Sequence, residues 1–313
     1  MTTLDRLDGW KAVGVISPAQ HQLLGALVRK ERFSVFLELS ALLYLGVLFF
    51  VGGIGWTFRE YVTSLGDGAI ITALTLMVAA AVYYCFSTAE PYDSDETESP
   101  NLAFDYVLYL GCLLVSAEFA YLQYRFELFR SWHHHLLIGT VLFALLAYRF
   151  DNRFVLSMAL SALAAWLGLR IDGFTGQSSD ALRLAAFLYG AFIAGAGLLL
   201  YREDIKAHFF PVYLHLAANV VLAAAASGLG ESSMGLAYLA ALIALSAAAI
   251  MLGVRFRRFA FVAYGILYGY GGISYKLLDA VGEPIVALWY FVFTGTFVIG
   301  LLVVLARQFG RDE

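Results

Sequence analysis

From residue 33 to residue 306 the chain is a succession of apolar runs, separated by short polar connections. Each run is about twenty residues long, enough to cross a hydrocarbon core as one helix. Ten helices are predicted, near 33–56, 68–88, 101–124, 134–149, 153–169, 181–201, 209–228, 234–254, 258–278 and 284–306. Only a helix or a closed barrel satisfies its own backbone in lipid, and runs this long and continuously apolar are helical rather than alternating. The pattern therefore specifies an all-α, polytopic transmembrane bundle over residues 33–313. Short connections make successive helices antiparallel neighbours.

Residues 1–32 follow a different pattern and form a small cytoplasmic amphipathic headpiece. Ser17, Pro18 and Gln20 make a helix start, in which Ser17 caps, Pro18 takes the first helical position and Gln20 completes a capping box. The helix runs from His21 to about Lys30, with Leu23, Leu24, Leu27 and Val28 on one stripe. An earlier short helix over Leu4–Val13 ends at Gly14. Two readings stay open: a helical hairpin lying on the membrane surface, or a plain amphipathic leader. The headpiece is charged and lacks a cleavage pattern, so the chain is expected to insert through its first helix.

Composition agrees with the pattern. Hydrophobic residues make up 61% and charged residues 14%, and the mean hydropathy is +0.76. A net charge of −4 without a basic stripe excludes nucleic acid as a partner. Cys85 and Cys112 both fall inside spans and read as small apolar fillers. Orientation follows from lysine and arginine. With the N-terminus inside, Arg6, Lys11, Arg29, Lys30, Arg32, Arg149, Arg153, Arg202, Lys206, Arg255, Arg257, Arg258, Arg307 and Arg311 collect on the cytoplasmic side. Arg59, Arg125, Arg130, Arg170, Arg183 and Lys276 remain outside. Both termini are thus expected in the cytoplasm of a bacterial cell, the bundle in its inner membrane. The acidic loop 90–100, proline at both ends and without a basic residue, then faces the cytoplasm too and is expected to be solvated and mobile.

Arg149, Arg202 and Arg255 each end a span and lie 53 residues apart. That interval suggests stacked hairpins turning at basic corners, although hairpins of average length give similar spacing without duplication.

The segment Trp10-Lys11-Ala12-Val13-Gly14-Val15-Ile16-Ser17-Pro18-Ala19-Gln20, followed by an amphipathic helix and the Gly- and Leu-rich stretch Leu43–Trp56, resembles the predicted bacterial membrane proteins grouped as domain of unknown function 2157. The resemblance covers about the first third of the chain and implies an integral membrane protein. It brings no catalytic residues.

Ionisable groups inside lipid are costly and mark candidate sites. Toward the cytoplasm these are Glu38, Asp105, His215 and Asn219, with His208 below His215. They read either as a proton-handling vestibule or as interfacial carboxylates beside a His215–Asn219 interhelical hydrogen-bond staple. Toward the outside, Glu118 lies deep in its span, and a pair with Lys276 or Arg125 is expected to neutralise it. His133, His134 and His135 are adjacent and point apart on a helix, so they cannot grip one metal and read as a polar collar beside Trp132. Leu267–Gly272 imitates a potassium filter but sits within one apolar run; Gly265, Gly269 and Gly272 instead make a helix-packing seam beside Tyr264, Tyr268 and Tyr275. No hydrolase, zinc-protease or phosphate-loop motif is present. No catalytic, cofactor or metal site is expected. Two functional classes follow: a non-catalytic membrane component (assembly, sensor or accessory subunit) contacting lipid and other membrane proteins through small-residue faces, or a transporter using the intramembrane acidic and histidine residues.

Overall fold

A computed structural model describes residues 9–18, 20–21, 25, 45–49, 52–53, 66–97, 99–127, 133–175, 179–231 and 233–309. Of the first expected span only residues 45–49 and 52–53 are described; its Glu38 and the leucine stripe of the headpiece lie outside the described residues. Two features of the headpiece are within them. The Ser17 amide donates to Gln20 Oε1 at 2.8 Å and the Gln20 amide to Ser17 Oγ at 3.2 Å, the reciprocal capping box read from the sequence. Gly14, at φ +79°, ends the preceding turn, with the Val15 amide bonded to the Trp10 carbonyl at 2.9 Å.

The helices expected from 68 onward all form. They are α1 (Asp67–Thr88), α2 (Leu102–Phe126), α3 (His134–Phe150), α4 (Arg153–Thr175) and α5 (Ser179–Arg202). A 3-10 turn (Ala207–Phe209) leads into α6 (Phe210–Ser227), followed by α7 (Gly235–Arg255) and α8 (Phe259–Val281). The final segment is α9 (Pro284–Tyr290), a π turn (Phe291–Gly295) and α10 (Thr296–Phe309). Among the described residues there is no strand, and seven segments are long and apolar enough to cross a membrane. The others are α3, which has 17 residues, and α8, whose tyrosines and glycines dilute its hydropathy.

Sequential helices pair as antiparallel hairpins: α1 with α2, α3 with α4, α5 with α6 and α7 with α8. Helix α6 also touches α4, α7 and α8, and its segment is the most enclosed of the seven. One core joins the first three hairpins through Phe104, Cys112, Phe143, Leu156, Ile193 and Phe209. Both cysteines are buried free thiols in it, as expected for apolar fillers. A smaller core of Leu222, Ala225, Leu229 and Leu242 joins α6 to α7.

The 53-residue spacing extends from sequence to backbone conformation. Asp151, Asp204 and Arg257 all lie in the left-handed region, at φ +55°, +54° and +52°. At each corner an amide reaches back five residues: Asn152 to the Ala147 carbonyl at 3.0 Å, Ile205 to Leu200 at 3.0 Å and Arg258 to Gly253 at 2.8 Å. Three helix ends are therefore closed by the same motif in the same register.

The glycine seam forms as expected. A Cβ at Gly265 would lie 2.4 Å from the Ser246 carbonyl oxygen, and one at Gly272 would lie 2.5 Å from Leu242 Cδ2. Helices α7 and α8 approach closely there because neither glycine has a side chain.

Candidate functional site

The first two basic corners and the loop between α1 and α2 build one polar cluster at the same end of the bundle. It starts from helix-end chemistry. Asp151 follows α3 in the left-handed conformation of a C-cap residue. Asn152 then caps α4, its Oδ1 accepting from the Val155 amide at 2.9 Å. The spare Nδ2 of Asn152 donates to Asp105 Oδ1 at 2.8 Å, while Ser99 Oγ donates to Asp105 Oδ2 at 2.8 Å. Asp105 stands in the first turn of α2, where the helix N-terminus favours a carboxylate.

The centre of the cluster is the Asp151 side chain, 5% exposed, against that of Lys206, 2% exposed. The Lys206 ammonium donates to Asp151 Oδ2 at 2.9 Å and to the Asp95 carbonyl at 2.8 Å. It also lies 5.4 Å from the Tyr92 ring centroid. His208 Nε2 contacts Asp151 Oδ1, and the Thr97 amide donates to Asp151 Oδ2 at 2.6 Å. Burial alone would raise the Asp151 carboxyl, but the Thr97 amide, Lys206 and His208 hold it below the ordinary carboxylate range.

The acidic loop is exposed over residues 90–96, as expected of a solvated segment, but it is also tied to the bundle. Its main chain does most of the binding. The Lys206 amide donates to the Ser94 carbonyl at 3.1 Å, and Arg149 Nη1 donates to the Glu90 carbonyl at 3.0 Å. A side-chain pair, Arg153 with Glu96 at 2.5 Å, joins on the exposed rim. A small pocket of about 20 Å³ lies between the loop and the Arg149–Asp151 corner. Low apolar content suggested no reason to dock, yet the loop supplies backbone partners that a buried lysine and aspartate require. A Gly/Ser linker over 90–100 keeps the main-chain groups but loses the rigidity of Pro91 and Pro100, the Tyr92 ring beside Lys206 and the Arg153–Glu96 pair, so it is expected to cost about 1–3 kcal/mol, read as a fall in melting temperature in detergent.

The depressed Asp151 carboxyl gives this docking a pH dependence. Its stabilisation is present above the unfolded-state value of about 4 and is lost as pH falls through the lower folded-state value. A fluorophore on Asp93→Cys should keep its anisotropy from pH 7 to about 4 and lose it below that.

The other sequence candidates separate. Asp105 and His208 join the cluster through Asn152 and Asp151. His215 does not. Its ring stacks on Phe261 at 4.8 Å, and Asn219 Nδ2 donates to the His215 carbonyl of its own helix at 2.8 Å. The pair is therefore an aromatic contact plus an intrahelical bond, not an interhelical hydrogen-bond staple; tyrosines supply such ties instead, as in Tyr148–Tyr213 at 2.9 Å. Glu118 accepts from Thr75 Oγ1 on α1 at 2.6 Å. Neither expected basic partner pairs with it, because Arg125 is held by Asp67 at 2.7 Å and Lys276 faces Asp279 at 4.0 Å. The i+7 spacing that suggested Arg125 brought it to the start of α1 at the membrane edge, one helix across.

Sequence reasoning missed Asp151, Lys206 and Arg183 as structural charges. Arg183, 8% exposed, binds Asp180 at 2.8 Å and Glu231 at 2.6 Å. It also bonds the Ser227 carbonyl at 3.2 Å and faces the Tyr238 ring at 5.2 Å. It ties α5 to the α6–α7 connection at the opposite end of the bundle. The signal was there: an arginine one turn inside a span, with an acid three residues earlier.

His215 also lines a crevice of about 1010 Å³ between α5 and α7, floored by α6. Apart from His208, His215, Tyr201 and Arg258 its walls are apolar, and Nδ1 of His215 is buried with no hydrogen-bond partner.

No curated protein and no solved structure matches this chain. A family described as predicted membrane protein (DUF2157) does match, over residues 8–156. The match extends beyond the first third suggested by the opening motif, taking in the acidic loop, Asp105 and the Asp151–Asn152 corner. Lys206 and His208, which complete the cluster, lie outside it. The chain is a membrane protein of multiple apolar helices, similar over residues 8–156 to the DUF2157 predicted membrane proteins.

Proposed function

We propose that the protein is a non-catalytic component of the bacterial inner membrane, an assembly, sensor or accessory subunit rather than a carrier. The observation that supports this most is the satisfaction of three carboxylates in or beside the spans. Asp105 is bonded by Asn152 and Ser99, Glu118 by Thr75, and Asp151 by Lys206, His208 and Thr97. Carriers instead keep such groups available to substrate or protons along a hydrated route. Apart from Tyr201, His208, His215 and Arg258, the crevice that reaches His215 has apolar walls and no carboxylate, a poor route for a cation.

The last segment supports the assembly reading. Only 6% of its apolar window is buried inside the chain, against 33% for Ala207–Ser227. Trp289, Phe293, Phe297 and Ile299 all face outward, giving lipid or another membrane protein a broad surface. In this reading the chain crosses ten times, with both termini and the basic corners cytoplasmic. Phe309, in ring contact with Phe259, puts the end of α10 beside the third corner, consistent with that orientation.

Two measurements test the proposal. Reporter fusions after residue 32 and at the C-terminus should both read cytoplasmic; an external C-terminus would overturn the count. Purified protein in liposomes should give no proton or alkali-cation flux above protein-free vesicles. A flux abolished by Asp105→Asn would establish the transporter reading instead.

A further inference from the structure

We infer that the crevice between α5 and α7 is a binding site for one anionic membrane lipid, its acyl chain against α6 and its headgroup at Arg258. This goes beyond the component reading, which needs no bound lipid.

The cavity comes from small side chains. Gly190, Ala191 and Ala194 on α5 face Ala248 and Ala249 on α7, and α6 keeps these two helices apart. Helix α5 is drawn against α6 at Gly190, where a Cβ would lie 2.4 Å from Val221 Cγ2, so its closeness to α6 leaves the width unfilled. At about 1010 Å³ the hollow lies at the upper end of the roughly 300–1,000 Å³ of ligand sites. An apolar hollow within the membrane region does not hold water, and leaving it empty forfeits the dispersion contacts of its walls. A hydrocarbon chain restores them.

The headgroup follows from charge. The three corners share a backbone motif but differ in counter-charge. Asp151 occupies the left-handed position of the first and Asp204 that of the second, whereas Arg257 occupies it in the third. Arg255, Arg257 and Arg258 crowd this corner, with no acid between Arg255 and Phe261. Arg258 lines the mouth of the crevice, no acidic residue lines it, and among the described residues no carboxylate pairs with the Arg258 guanidinium. At the first corner Lys206 and His208 neutralise Asp151; at the third, Arg258 has no such counter-charge among the described residues. A phosphate headgroup at the membrane surface supplies it.

The test uses the full chain in detergent, titrated with phosphatidylglycerol or phosphatidylcholine and read by native mass spectrometry. One phosphatidylglycerol should be retained saturably, about five-fold more tightly than phosphatidylcholine, the factor expected for one arginine near a headgroup. Arg258→Gln should remove that preference, whereas Arg255→Gln, at the same corner but outside the crevice, should leave it intact. Ala248→Trp should fill the crevice and abolish retention of both lipids, with Ala191→Trp on the facing wall as a second filling variant if the first does not fold. Equal retention of the two lipids by the wild type, a preference that survives Arg258→Gln, or retention by a folded filled variant would each overturn the inference. So would a wild type that retains neither lipid, which would mean that protein covers the crevice.

Discussion

Asp151→Ala should lower the unfolding free energy by about 3–5 kcal/mol, the cost of stranding a buried charge. The reason is the burial of its partner. Lys206 is 2% exposed and held in a left-handed turn at φ +47°, so its ammonium cannot swing into water without undoing the corner. Removing the carboxylate leaves that ammonium with the Asp95 carbonyl and the Tyr92 ring, neither of which carries a full negative charge. Lys206→Met alone should cost a comparable amount, since it strands Asp151 with only His208 and the Thr97 amide. The double variant removes both charges and should cost far less than the sum. Melting curves of the four proteins in one detergent check this. Additive losses would show that the two charges do not depend on each other. The loop should report the same event, with protease sensitivity near Asp93 rising in both single variants.

Gly265→Val is the second large effect. The position is fixed by backbone, not by a flexible side chain: a Cβ would lie 2.4 Å from the Ser246 carbonyl oxygen and 2.6 Å from Ile250 Cγ1. To admit it, α7 and α8 must separate, and the contacts of Gly269 and Gly272 along the same seam open with them. A loss of at least about 1–3 kcal/mol is expected from such overpacking, and loosening of the whole hairpin would enlarge it. Gly271, on the same helix with nothing within 4 Å of its Cβ position, is the control. Gly271→Val should be near neutral, so a comparable loss there would mean that helix propensity rather than the seam sets the cost.

The acidic loop shows what a linear reading cannot weigh. Glu90, Asp93, Asp95 and Glu96 remain exposed, as their charge suggested. What docks the loop is main chain: the carbonyls of Glu90, Ser94 and Asp95 and the amide of Thr97. Every residue carries these groups, so composition carries no trace of which ones find buried partners. Glu118 teaches a related lesson. The demand that it be satisfied was legible from its depth in an apolar run. The partner was not, because helical spacing and charge point to a base, whereas the nearby hydroxyl of Thr75 meets the need.

Some features were fixed locally and could be read directly. The capping box at Ser17 and Gln20 and the glycine turn at Gly14 involve residues within five positions of each other, so spacing alone determines them. Helix positions followed from apolar run length, since lipid leaves the backbone no alternative to satisfying itself. The glycine seam was legible because small residues at helical spacing have one common use in a bundle. The Asp151–Lys206–His208 cluster was not: Asp151 lies more than fifty residues from Lys206 and His208, on a different corner, and the stacking of two hairpins brings them together. The crevice between α5 and α7 likewise exists only because α6 stands between them. The sequence by itself determined which segments are helices, how their ends close and where their small faces lie, because those depend on neighbours along the chain. The tertiary structure alone decided which buried charges meet, which loop is held and where space is left, because those depend on how separate hairpins stack.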